Sequence, residues 1–347
     1  MSPTIAIHRN SNIDILRAIA VLSVVAHHVF AFTGFRIYYF SEVGVLVGVQ
    51  LFFIISGYLI SESASKYSLR SYAVHRFLRI FPAYWVAFIA IGVLTGVLNA
   101  ANIVQRPGSF LLSIANLQQL YPVALLELDV LHVSWTLTVE LLWYLLAPLL
   151  LVTYRRWAWV SFGILIVVST VWSMAASRHY LDGLYAGGFS AMTMQVQPGQ
   201  ADILIKFALP VQLMFFGVGA LIFRFKEQVF RIPVSWLLLS IFVSSVMFDH
   251  YSSYVPLYSV LPGLGPTAFF LLMFRSSPVD VPFLAYLGKI SYSIYLLHFP
   301  IIIWCANKFS NLGSLHLLIT MACIVGLSHL MFVTIEEPCM RYAKRFR

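Results

Sequence analysis

Apolar runs of about twenty residues recur along the whole length of this chain, and a helix of that length is what crosses the ~30 Å hydrocarbon core of a bilayer. With 60% hydrophobic and only 10% charged residues, the chain has too little polar surface to stay in water as a monomer. The sequence predicts an all-α fold: a polytopic transmembrane helical bundle forming one integral-membrane domain over residues 1–347. Candidate spans, about ten in all, cover approximately 13–33, 43–62, 77–98, 132–153, 157–177, 207–223, 234–250, 256–274, 283–304 and 314–335. The first is long enough to span and lacks a small-residue cleavage site, so it is expected as a retained helix and not as a removed signal peptide.

Ten spans return both termini to one side, and the basic residues say which. Of the 22 Lys and Arg, 17 fall on the side of the N-terminus; Arg36, Arg106, Arg178, Lys206 and Lys308 fall opposite. Positive residues collect on the cytoplasmic side, so the N- and C-termini are expected in the cytoplasm. That topology accounts for the net charge of +9 without a nucleic-acid partner. Cys305, Cys323 and Cys339 form no CxxC pair and have no metal-ligand spacing, so neither a disulfide framework nor a metal site is expected. The longest outer loops are 99–131 and 178–206; the second carries the Gly- and Pro-rich composition of irregular backbone.

Ionisable residues inside the spans mark where function sits, because each is costly there. The first span holds Arg17, His27 and His28. Arg17 and His28 are eleven residues apart, almost three whole turns, and so share one face about 16 Å apart; His27 is turned off that face. Arg76 and Arg79 are three apart at the cytoplasmic start of the third span, suited to a multiply charged phosphate or to lipid head groups. The fourth span carries Glu140 and the ninth His298; Ser56 and Gly57 sit in the inner half of the second, where Gly57 reads as a helix-packing residue. At about 1.5 Å per residue, His28 and His298 lie about 22 Å from the inner edge, Glu140 about 18 Å and Arg17 about 6 Å. An outer layer of two histidines and a carboxylate above an inner layer of arginines describes a two-ended site.

These residues also carry a family likeness. L-R-A-I-A-V-L-S-V-V-A-H-H resembles the arginine–ten residues–histidine motif of the membrane-bound acyltransferase-3 family at Arg17 and His28, and H-R-F-L-R-I-F-P-A-Y-W resembles its arginine–two residues–arginine motif at Arg76 and Arg79. Residues 51–57, 135–140 and 291–300 are similar to three further family segments, and T-I-E-E-P-C-M-R-Y resembles the family's C-terminal end. Gln50 stands where the family commonly has an acid, so no charge is expected to act there. No extra periplasmic hydrolase-like domain of the kind found in many members is expected, so direct transfer to the acceptor or transfer through a separate partner is anticipated.

The resemblance implies a bacterial cytoplasmic (inner) membrane enzyme that O-acylates glycans, antibiotics or other surface molecules from an acyl-CoA donor, usually acetyl-CoA. Under it, Arg76, Arg79 and Arg17 bind the donor's phosphates, and His28 acts as general base or as a covalent relay. Glu140 orients His28, while His298 is either a participant or a packed core residue. The expected partners are acyl-CoA, membrane lipid and a glycan or lipid-linked glycan; a small-molecule acceptor such as a macrolide shares every motif. A transporter for an anionic or acylated substrate is the reading from another class, against which the chain shows no internal repeat or paired broken helices.

Overall fold

The computed structural model describes residues 11–192, 200–229, 231–250 and 260–346. Arg9 and Arg347 of the basic set, residues 193–199 of the second outer loop and residues 256–259 of the eighth expected span lie outside the described residues. The described chain is helical throughout, without a strand. Its larger helices are α1 (Ser11–Thr33), α2 (Phe40–Lys66), α3 (Leu69–Leu94), α4 (Ser134–Ser177), α5 (Leu209–Arg224), α6 (Val234–His250), α7 (Val260–Arg275), α8 (Pro282–Lys289), α9 (Ser291–Phe309), α10 (Leu315–Met331) and α11 (Glu337–Ala343).

Helix α2 is the axis of the bundle. It packs against α1, α4, α5 and α7, and two thirds of its apolar stretch is buried. Small residues let its neighbours come so close. A β-carbon on Gly44 or Gly48 would overlap the backbone oxygens of Ser23 or Ala20 on α1, and one on Gly57 would overlap that of Phe216 on α5. Gly57 is therefore a packing residue, which van der Waals association between membrane helices requires. Elsewhere the surface is apolar, with Leu94, Leu149, Val152, Leu318 and Leu330 exposed, as suits helices whose outer faces meet lipid tails.

The spans differ from the expected set in three places. Residues expected as the fourth and fifth spans form the 44-residue α4, which would be about 66 Å long at 1.5 Å per residue, twice the hydrocarbon thickness. It is broken at Trp157, whose φ of −134° and ψ of 46° are not helical, so the chain bends there without a loop. The ninth expected span is two helices, α8 and α9, bent by 76° at Ile290. The tenth runs on without a loop: α10, a π-helical turn at Phe332–Glu336 and α11 form one apolar helix, Leu315–Ala343, of 29 residues. Five described helices are long and apolar enough to cross a membrane, six with the bent pair, and three more apolar helices are shorter.

The first outer loop is not irregular. Short helices at Ala100–Gln105, Pro107–Ile114 and Pro122–Leu126 fold it back onto α3. Tyr84 donates to the Ser113 oxygen (2.5 Å) and accepts from Gln118 (2.6 Å), and Trp85 donates to the Ile114 oxygen (2.9 Å). These bonds satisfy buried backbone groups that a loop at the membrane edge would otherwise strand.

Candidate active site

A cavity of about 750 Å³, mouth included, opens between α1, α2, α3, α4 and α9. Arg17, Arg76, Arg79, Ser56, Glu140, Tyr144, Tyr292 and Tyr295 all line it. Residues 76, 79 and 80 of α3 face inward because i, i+3 and i+4 share a helix face. Elsewhere on α3, Phe77, Val86 and Val93 are exposed. Each arginine is held differently. Arg76 sits over the rings of Tyr72 (5.7 Å) and Tyr144 (5.5 Å), its Nε buried without a hydrogen-bond partner. Arg79 lies over Tyr292 (5.6 Å) and is ion-paired with Glu336. The second Glu336 oxygen accepts from Ser293 (2.8 Å).

Glu336 was not anticipated as part of the site. It falls one residue past the last expected span, so sequence reasoning treats it as tail; the uninterrupted helix carries it inward to 1% exposure. The π turn re-aims it, a placement that often accompanies functional residues. Tyr72, Tyr144 and Tyr292, whose rings lie under Arg76 and Arg79, are likewise site residues that no motif in the sequence marks.

Glu140 is not beside His28. Its Oε1 accepts from Ser56 (2.7 Å) and from Tyr144 (2.6 Å), which puts it and Ser56 in the arginine cavity and not in an outer layer with the histidines. The depth arithmetic assumed straight, upright helices starting at one level. Helices tilt, and α4 begins only at Ser134 after the outer segment has folded inward.

His28 does not line the cavity. It lies farther along α1, half-buried, with its ring 5.3 Å from that of His298 and 4.8 Å from that of Phe299. Neither of its nitrogens has a hydrogen bond among the described residues. His298 is wholly buried, and its Nδ1 donates to the backbone oxygens of Tyr295 (2.8 Å) and Ile294 (3.2 Å). Tyr295 joins the two regions: it lines the cavity, packs 5.6 Å from His298 and shares a 2.7 Å hydrogen bond with Thr136. His27, by contrast, donates through Nδ1 to the Ser41 oxygen (2.8 Å) and thereby ties α1 to α2.

Beyond Phe299 lies a second cavity of about 730 Å³, mouth included, lined by Arg106, Glu127, Asp129 and His132 among others. Arg106 and Glu127 are ion-paired at 2.7 Å. Asp129 accepts from the backbone of Leu131 and from Ser134, which starts α4. The exposed His132, held at a φ of 57°, packs its ring 5.1 Å from Phe299.

Comparison with known proteins bears on this arrangement. The family model described as an acyltransferase domain matches residues 10–333. Nodulation protein 10 of Rhizobium leguminosarum bv. viciae is 32% identical over 193 residues, 50% of this chain and 52% of that protein. A putative O-acetyltransferase of Staphylococcus aureus (strain COL) is 24% identical over 328 residues, 84% of this chain and 50% of that one. The peptidoglycan O-acetyltransferase OatA of Listeria monocytogenes is 24% identical over 319 residues, 84% of this chain and 49% of that one. The chain thus spans about half the length of these relatives. No solved structure matches it. With the matched model running through α1 and the arginine cavity to the π turn, the chain belongs to the acyltransferase-3 family of membrane proteins.

Proposed function

We propose that the protein is a membrane O-acyltransferase that moves an acyl group, acetyl above all, from cytoplasmic acyl-CoA to a hydroxyl of a cell-envelope or exported glycan. The observation that carries this reading is that one cavity gathers Arg17, Arg76 and Arg79 around a single lining carboxylate, Glu140. Three guanidinium groups in a desolvated cleft suit the phosphates of a CoA molecule, since guanidinium binds phosphate through paired N–H donors. Arg76 is the first of these to reach for phosphate, because no described carboxylate pairs with it; Arg79 already has Glu336. Membership of the family and the O-acetyltransferase names of the relatives support the transfer chemistry, and the name of OatA supports a glycan acceptor.

In this reading the chain crosses the inner membrane ten times with both termini in the cytoplasm. The donor's phosphates rest on the arginines, and the pantetheine arm extends past Tyr295 toward His28. The acceptor enters through the outward cavity by Arg106, Glu127 and His132. His28 takes the proton of the acceptor hydroxyl as its oxygen attacks the thioester carbonyl. The C–O bond forms, the C–S bond breaks, and the thiolate recovers the proton as CoA leaves.

Proteoliposomes of defined orientation test this. Acetyl-CoA is supplied at the cytoplasmic face, and a membrane-impermeant oligosaccharide is confined to the opposite side. The expected result is free CoA on one side and acetylated sugar on the other, each dependent on His28. A thioester left intact while substrate crosses would make the protein a transporter. Acetylation only of a sugar on the donor's side would refute the two-sided route.

A further inference from the structure

The chemistry above leaves His28 with nothing to fix its tautomer. Its nitrogens have no described hydrogen bond, and the carboxylate expected to orient it, Glu140, is occupied by Ser56 and Tyr144. A general base needs one ring nitrogen bare and the other held. We propose that His298 supplies that hold: during transfer its Nε2 accepts a hydrogen bond from one N–H of His28, so that the other nitrogen of His28 faces the acceptor hydroxyl.

A carbonyl oxygen can only accept, so the bonds from Nδ1 to the oxygens of Tyr295 and Ile294 place the ring proton on Nδ1. Nε2 is then the lone-pair nitrogen. It is buried and has no hydrogen-bond partner among the described residues, a state rare enough in folded proteins to need an explanation. His28 is the polar ring next to it. Two imidazoles joined in line by one N–H···N bond have ring centres roughly 5 Å apart, and the observed separation is 5.3 Å with a 37° tilt. No bond is formed at the observed angle, so turning the His28 side chain is the motion required. The other neighbours cannot serve. Phe299 offers His28 only an aromatic ring, and His27, whose ring is also 5.3 Å away, stands edge-on at 78° and is half-buried, so its Nε2 is not a sealed acceptor as that of His298 is.

His298 is thus a positioning residue, and the inference rests on the reading of His28 as the base. When His28 takes the hydroxyl proton, its other N–H remains shared with His298 Nε2. The proton passes from His28 to the thiolate as the C–S bond breaks, and the pair returns to its starting state.

Two variants test it in the same proteoliposomes: His298→Leu, which fills the space but accepts nothing, and His298→Gln, which keeps an acceptor oxygen. Rates are divided by titrated CoA-binding sites, so that loss of folded protein does not register as loss of catalysis. The expected result is a fall in kcat of about 100-fold or more in the Leu variant with KM for acetyl-CoA unchanged. A base in the wrong tautomer loses as much as about 10⁴-fold. The Gln variant should keep activity within about tenfold of the parent. Equal losses in both variants, or a Leu variant at the parent rate, would overturn the proposal. His28→Ala is measured alongside: if that variant still transfers, the reading of His28 as base has failed; if it is inactive while His298→Leu is unimpaired, only the present inference has.

Discussion

Replacing Glu336 by Gln removes one charge from a pair whose side chains are 16% (Arg79) and 0% (Glu336) exposed. The guanidinium is then left in the cavity wall with no described counter-ion of its own. Breaking a buried ion pair from one side costs about 3–5 kcal/mol, because the remaining charge has lost its water and gained nothing for it. The Ser293 bond survives, since the amide oxygen of Gln still accepts. The expectation is a shift of about 150- to 5,000-fold toward the unfolded state, read as a lower melting temperature in detergent and lower abundance in the membrane. A companion variant separates structure from function. Arg79→Met with Glu336→Leu replaces both partners by apolar groups, which is close to neutral or stabilising where a buried pair is exchanged whole. It should fold, and its CoA affinity then reports whether Arg79 touches phosphate at all. A Glu336→Gln protein that melts with the parent would refute the claim that this pair holds α3 to the C-terminal helix.

Three other expectations follow from the same geometry. His28→Ala should abolish transfer, whereas His27→Ala should lose only the bond to Ser41, about 0.5–1.5 kcal/mol of stability, and keep transferring; equal inactivation at equal abundance would mean that both rings act. Arg76→Ala should weaken CoA binding by about 10- to 150-fold, the worth of one charge-assisted hydrogen bond of about 1.5–3 kcal/mol. Lys66→Ala should change little, because Lys66 is exposed and paired with Glu62; titration of CoA on the purified variants decides between them. Gly57→Leu should fail to form a compact bundle, since the new side chain meets the Phe216 backbone of α5 and not a movable side chain; a monodisperse, fully active variant would contradict the packing described.

What could be read from the sequence was what one helix fixes by itself. The eleven-residue spacing holds Arg17 and His28 on the unbroken α1, and the three-residue spacing turns Arg76 and Arg79 into one cavity. Gly57 is legible for a similar reason: a residue without a side chain inside an apolar run has few other uses. What could not be read depends on where one helix begins relative to another. Straight, upright spans put Glu140 in one layer with the histidines; its bonds to Ser56 and Tyr144 place it instead in the arginine cavity. Glu336 was missed because hydropathy ends a span where the first acid appears, while the helix continues through its π turn to Ala343. The break at Ile290 is equally silent in composition. No Pro or Gly stands at residue 290 itself, although Gly288 packs against the backbone of Asp14 on α1 and so pins the bend from its other side.

The separation between the arginines and His28 is itself informative about how an acyl group crosses. Arg17 and His28 lie about 16 Å apart along one rigid helix, so the distance between the phosphate end of the site and the base does not change unless α1 breaks. In the proposed reading, a donor held by its phosphates therefore presents its thioester at a fixed depth, set by the length of its own arm and not by a domain motion. Tyr295 stands in the way: it lines the arginine cavity, leans on Phe52 and His298, and is bonded to Thr136. The donor's arm must pass this ring to reach His28, and the ring shares its turn of α9 with the backbone oxygens that hold His298 Nδ1. The Tyr295 ring also packs on the imidazole of His298, whose Nδ1 that turn holds. In the proposed reading, arrival of the thioester is thereby tied to the histidine pair through one short stretch of helix, residues 294–298, where Tyr295 meets both the arginine cavity and His298.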